Sequence, residues 1–331
     1  MHRLTVAALA LVCSASAFAQ QPFELEPGIR VLAPITHQQL SVYPVVQDAA
    51  VKDPKQYMSL AAGLERKEVR VRETGDGGDV NHVRVTNNSE RPLLLLGGEI
   101  ILGGQQDRIM SEDAIVPPKR TLVVEVFCVE HGRWSGRGDF ARSGGMVEGN
   151  VRRIAKFAKN QGLVWDQVAK KTQELHGESD TGTYRTLAEG DAGKRASEPF
   201  RKAIRPALEG LAEAPKLVGL IGAVNGRIIS ADIFATPSLF STYRDRLLES
   251  LFVTAAGVEA KANVKAPDAQ AIKGFIADAE GAKEEEALDV AGSKTLKKRG
   301  KEAVRSSVVA PPAAAGGQGT NVYRSYQSTQ E

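Results

Sequence analysis

The sequence predicts an α+β protein: an antiparallel, β-rich amino-terminal half, a helical segment, and a later β-hairpin that joins the sheet. Three observations carry that expectation. Between Gly28 and Val129 the apolar residues recur in short runs broken by Gly, Asn and Pro. From Met146 the apolar period becomes helical. Further on, Asn225-Gly226 separates two apolar runs, and this dipeptide suits the type I′ turn of a two-residue hairpin, where both central residues need positive φ.

The elements follow in chain order. Leu40 to Val46 has strand character, and Val69-Arg70-Val71-Arg72-Glu73 alternates with period two. Between them Tyr57, Leu60, Ala61 and Leu64 fall at helical spacing, so one short helix is expected within Pro54 to Glu65. Thr74 to Asp79 reads as a turn, Val80, Val83 and Val85 resume a strand that stops at Asn87-Asn88-Ser89, and Leu93 to Leu96 forms another. The longest β run is Thr121 to Val129. Val151, Ile154, Ala155, Ala158, Val164, Trp165, Val168 and Leu175 then share a helical face interrupted at Asn160-Gln161-Gly162. Another helix is expected to start near Ser197-Glu198-Pro199, with Ser as its cap and Pro206 kinking or shortening it. The runs Leu217 to Val224 and Arg227 to Ala235 form the hairpin, and Ser238 onward reads as a helix. Beyond residue 256 the composition shifts to Ala, Lys and Glu, then to a Pro/Gly linker at 311–319 and a possible final strand at Asn321 to Tyr326. Residues 257–331 are therefore expected to form a mobile tail. Within it Glu284-Glu285-Glu286 and Lys297-Lys298-Arg299 read as solvated surface.

Composition narrows the function classes. The 331 residues are 42% hydrophobic and 25% charged, which excludes a mainly disordered chain. A net charge of +3 gives no field for nucleic acid, so none is expected as a partner. Met1-His2-Arg3, the apolar run Leu4 to Val12 and Ala17-Phe18-Ala19 read as a secretory signal peptide over residues 1–19, so the protein is expected to be exported, periplasmic or secreted. Cys13 also fits a lipoprotein signal, but Val12 stands where that signal needs a small residue. No later run is long enough to span a bilayer. Cleavage after Ala19 leaves a single cysteine, Cys128, with no intramolecular disulfide partner.

Two segments concentrate polar groups in strand-like surroundings. Gly97 to Arg108 places Glu99, Gln106 and Arg108 among paired glycines, where the backbone can turn tightly or approach a ligand. It lacks the Lys and Ser/Thr of a phosphate-binding Walker loop. The bland alternative is a Gly-rich hairpin with Glu99 and Arg108 in a salt bridge. Cys128-Val129-Glu130-His131-Gly132-Arg133-Trp134 offers a carboxylate, an imidazole, a guanidinium and a stacking ring at the end of the strongest strand. Glu99 and Glu130 are the candidate acid or base; Gln106, Arg108, His131, Arg133 and Trp134 are the candidate ligand-binding groups. In the alternative reading Glu130 and Arg133 form an ion pair over a packed Trp134. Cys128 is a candidate thiol only if a base lowers its pKa; otherwise it is a core residue. The mature histidines are scattered, with no metal-ligand spacing, so no metal site is expected, and no cofactor motif is identified.

Taken together, Gly98-Glu99, Gly103-Gly104-Gln105-Gln106-Asp107-Arg108, Val116-Pro117 and the Cys-x-Glu-x-x-Arg-Trp run of 128–134 resemble a bacterial family. It is the ADP-ribosylglycohydrolase and rhodanese-phosphatase-associated protein domain. The likeness continues through Gln161 to Trp165, the Asn225-Gly226 hairpin, Asp232-x-Phe234 and Phe240 to Ser250, and so spans residues 36–256. The resemblance implies a domain connected with ADP-ribose or other NAD-derived metabolites, carried by Glu99, Gln106, Arg108, Cys128, Glu130, Arg133 and Trp134. Asp107 stands where the family has Asn. The resulting expectation is an exported protein that binds a small polar or ADP-ribose-like metabolite, with hydrolysis as a further capacity. The alternative is a non-catalytic structural or interaction protein of the bacterial envelope.

Overall fold

A computed structural model describes residues 20–49, 56–74, 79–133, 139–311 and 319–330. Residues 1–19 (the expected signal peptide), the middle of the Thr74 to Asp79 turn, the centre of the Pro/Gly linker and Trp134 lie outside the described residues.

The chain is mixed α+β and is built on a ten-stranded antiparallel sheet. From one edge the strands run Phe23–Glu26, Ile29–Val31, Leu40–Gln47, Leu217–Val224, Arg227–Phe234, Thr320–Ser328, Ala303–Ala310, Ser293–Arg299 and Glu284–Val290, with Ile35–His37 also paired to Leu40–Gln47. The predicted hairpin therefore sits at the centre, joining amino-terminal strands to carboxy-terminal ones. Its turn takes the expected shape, with φ of 48° at Asn225 and 75° at Gly226.

A six-stranded closed barrel stands beside this sheet. Its strands are Arg108–Met110, Arg120–Cys128, Asp79–Asn87, Val69–Thr74, Asp139–Met146 and Glu99–Gly103. Val71, Val83, Val85, Ile101, Val124 and Val126 fill its interior from alternate positions, as the period-two pattern requires. The glycine-rich segment is thus the hairpin of its bland reading, Glu99–Gly103 against Arg108–Met110. Its supposed Glu99–Arg108 salt bridge is absent, and each side chain bonds elsewhere.

Helices cover the remaining faces. Gly149–Arg153 continues into a π-helix at Ile154–Ala158 and then Gln161–Glu174, whose break is made by left-handed Lys159 and capping Asn160. The helix expected from Ser197 begins earlier and runs Asp191–Glu209. Ser197 is therefore not a cap; its hydroxyl donates to the Gly193 carbonyl, and both Pro199 and Pro206 are carried within the helix. The segment after Ser238 divides into Pro237–Ser241 and Arg244–Ala255.

The largest correction concerns the carboxy terminus. The described residues beyond 256 include the helix Ala269–Glu280 and four strands of the main sheet in place of the expected mobile tail, the last of them, Thr320–Ser328, containing the final strand expected at Asn321 to Tyr326. The two charge clusters face each other as paired strands, Glu284 opposite Lys298 and Glu285 opposite Lys297, so their composition hid a hairpin.

Candidate functional site

The predicted site residues divide between two places. The first is an open cleft of about 370 Å³ on the barrel, lined by Asp107, Glu130, Arg133, Arg142, Thr183 and Arg185, with Gly103 in its wall. Strand Arg120–Cys128 ends just before Glu130, and an isolated bridge from Glu130 to Thr183 brings the 181–185 segment alongside. Gly103 and Gly104 have φ of +128° and +57°, and a Cβ on Gly103 would lie 2.7 Å from the Asp139 carbonyl oxygen. The turn here requires glycine, and it leaves both carbonyls pointing at Arg133.

Arg133 is the hub of the cleft. Its Nε donates to Glu130 Oε2 at 2.7 Å, and its Nη2 lies 2.6 Å from the same oxygen and 3.1 Å from Asp107 Oδ1. Two carboxylates therefore share one guanidinium, and their environments push them in opposite directions. Burial raises Glu130, but the Arg133 hydrogen bond and the Asp107 backbone N–H outweigh it and bring the carboxyl below its ordinary range. Asp107 is raised, first by burial and then by the charge of Glu130, against the opposing Gly103 N–H. Asp107 Oδ1 holds both of its hydrogen bonds, so Oδ2 is left open among the described residues. A carboxyl whose hold on its proton is raised thus stands beside one whose hold is lowered.

Two further arginines reach the cleft. Arg142 is exposed and its side chain forms no ion pair among the described residues. Arg185 is paired with Glu189 at 2.7 Å, both partly exposed. Sequence reasoning missed Asp107 as a site group, and also Arg142 and Arg185, because their elements meet the cleft only through the fold. The one available signal was that Asp107 lies inside the Gly103 to Arg108 motif.

Arg108, Gln106 and Cys128 lie beneath the cleft and do not line it. Arg108 is 1% exposed, donates to Gln106 Oε1 at 3.1 Å and lies 3.7 Å from Glu73, so it braces the floor and cannot meet a ligand directly. Gln106 in turn donates to the Glu130 carbonyl at 2.7 Å. The Cys128 thiol is buried and burial pushes its pKa up, the reverse of what a nucleophile needs. His131 turns away and packs edge-on against Trp165, with ring centres 4.5 Å apart.

Glu99 belongs to the second place, so the predicted residues do not line one pocket. It is fully buried at the junction of barrel and sheet, accepts from the Leu96 N–H at 2.9 Å, and has no partner for Oε1 among the described residues. Burial pushes its carboxyl up to about 7. Around it Arg152 makes a two-pronged pair with Asp232 at 2.8 and 3.0 Å, and Tyr323 donates to Asp232 at 2.5 Å. Lys156, on the π-helix and with no exposed surface, lies 2.7 Å from Asp113. Asp113 also accepts from the Gly97 N–H at 2.7 Å, while Arg152 donates to the Gly97 carbonyl at 3.1 Å. This closed cluster clamps the Gly97 turn to the sheet.

The fold and cleft together define an α+β protein with a polar, arginine-rich cleft on a barrel braced against a larger sheet. The chain belongs to the family described as ARG and Rhodanese-Phosphatase-superfamily-associated Protein domain, ARPP-1, whose model matches residues 28–326. The match extends past the residues 36–256 that carried the resemblance, into the carboxy-terminal strands. No curated protein and no solved structure shows significant similarity to the chain. Among the described residues no helix is long and apolar enough to cross a membrane.

Proposed function

We propose that this protein, exported by its amino-terminal signal, binds a small polar metabolite carrying an anionic group in the Asp107–Glu130–Arg133 cleft. The observation that carries the reading is the pair of carboxylates on one guanidinium with Arg142 and Arg185 in the same wall. The arginines supply forked donors for a phosphate or carboxylate, and the carboxylates accept from hydroxyls. An ADP-ribose-like molecule has both kinds of group. Hydrolysis is the further capacity we propose for the site: water would form the new bond as the leaving-group bond breaks, with Glu130 taking the water's proton and Asp107 Oδ2 protonating the departing oxygen. The volume of about 370 Å³ falls within the usual range for small-molecule sites.

A second reading, a non-catalytic envelope protein, is favoured by Arg133 itself, which ties Gly103 and Gly104 to Glu130 and so also serves the fold. Calorimetric titration with ADP-ribose separates the two. The binding reading expects a saturable heat that weakens about tenfold in Glu130→Gln and in Asp107→Asn. A titration with no heat in the unaltered protein would favour the structural reading.

A further inference from the structure

The cleft is bordered by a second and larger cavity that the function above does not use. This cavity, about 420 Å³, exposes mostly apolar surface around Met146, Ala188 and Val253, although seven charged residues, Glu189, Arg201, Arg246 and Glu249 among them, also line it. Both cavities are laid out along the same two elements in the same order. On strand Asp139–Met146, Ala141 and Arg142 face the polar cleft and Gly144 to Met146 face the apolar cavity. On the 183–189 segment, Thr183 and Arg185 belong to the first and Ala188 and Glu189 to the second. The Arg185–Glu189 ion pair, with side chains 49% and 40% exposed, spans the division between them.

The strand is shaped to serve both. Its pairing with Glu99–Gly103 slips twice, between Phe140 and Arg142 and again between Ser143 and Gly145. A bulge re-aims the side chains beside it, and each of these two falls at one cavity. Gly145, with φ of +97°, has nothing within 4 Å of where a Cβ would stand, so the backbone is open at the second bulge. The exposed ion pair between the cavities is a weak barrier, since such pairs contribute little and rearrange readily.

We infer that the two cavities are the halves of one bipartite cleft, and that its ligand is a phosphate monoester whose organic group is apolar or aromatic. The phosphate lies at Arg142 and Arg185, and the organic group covers Met146, Ala188 and Val253. A dianion matches two guanidinium forks better than a single carboxylate does. The inference rests on the anion-binding reading of the polar half and adds the chemistry of the rest of the molecule.

Methyl phosphate and hexyl phosphate, titrated by calorimetry into the full chain, test it because they share the anion and differ only in apolar length. The bipartite cleft expects hexyl phosphate to bind at least about tenfold tighter, from the added buried methylenes. Ala188→Phe, which fills the apolar half, is expected to abolish that gain while leaving methyl phosphate unchanged, with thermal melting checking that the variant folds. Equal binding of the two esters, with methyl phosphate still weakened by Arg142→Ala, would overturn the bipartite inference alone. If both Arg142→Ala and Arg185→Ala leave either ester's binding unchanged, or if neither ester binds, the anion-binding reading fails and this inference falls with it. The comparison of esters on the unaltered protein stands even if Ala188→Phe does not fold.

Discussion

The Glu99 cluster and the Glu130 cleft are made from the same materials, glycine turns, carboxylates and arginines, within a short stretch of chain, yet they do opposite work. At Glu99 the buried cationic groups are consumed, Arg152 by Asp232 and Lys156 by Asp113, and the backbone of Gly97 by both sides, while Arg246, whose charge also lowers Glu99, stands half-buried outside this clamp. At Glu130, Arg133 is consumed by the two carboxylates and Arg185 is held by the partly exposed Glu189, but Arg142 forms no ion pair among the described residues and stands at the wall of an open volume. What distinguishes a binding site from an internal clamp is therefore not residue type but the presence of unspent donors beside an opening. A buried charge is tolerated only when paired, whereas an exposed one can wait for a ligand.

The comparison breaks most visibly at Arg152. Arg152→Met leaves Asp232 charged and without its two-pronged partner in a buried setting, and a loss of about 4 kcal/mol in stability is expected by chemical denaturation. Replacing Asp232 with Leu in the same chain is expected to recover much of that loss, because the uncompensated charge goes with it. A loss near zero for Arg152→Met would mean that the cluster does not clamp the barrel to the sheet.

Glu99 gives the next largest effect, and its sign is specific. Its folded pKa is about 7 against an ordinary 4.5, so the folded state favours the protonated carboxyl. Stability from this group is complete below pH 4.5 and is lost as pH rises toward 7, by about 3 kcal/mol. Glu99→Gln, neutral at every pH, is expected to flatten that segment of the stability profile and to be more stable than the unaltered protein at pH 8. A variant that keeps the slope would assign the titration to another group.

Much of this contrast was invisible in the sequence for identifiable reasons. Strand alternation and the Asn225-Gly226 turn act between near neighbours, so the barrel interior at Val71, Val83 and Val85 and the central hairpin were legible. Likewise the Gly103 to Arg108 and Cys128 to Arg133 segments do meet, with Gln106 bonded to the Glu130 carbonyl. Glu99 was grouped with them because it is close along the chain, but it lies on the far side of its own strand's pairing, opposite Met146. Its carboxyl accepts one hydrogen bond among the described residues, a local one from the Leu96 N–H, but the charged groups around it come from residues 113 to 246, which no local pattern encodes. The carboxy-terminal strands were read as tail because Lys and Glu are depleted in most strands, and their cross-strand charge pairing appears only once the register is known.

The smallest expected effect on stability is the sharpest test of what the cleft is for. Arg142 is exposed, sits between two bulges and pairs with no carboxylate among the described residues, so the fold gains little from its charge. Arg142→Ala is expected to change stability by less than about 0.5 kcal/mol, as surface substitutions outside special features do. If the cleft binds an anion, the same change removes a charge-assisted fork and weakens that binding about tenfold, with the loss shrinking as salt is added. A clamp like that at Arg152 would lose stability and no ligand; a site loses ligand and no stability. Thermal melting and anion titration on this one variant therefore place the Glu130 region on one side of the comparison or the other.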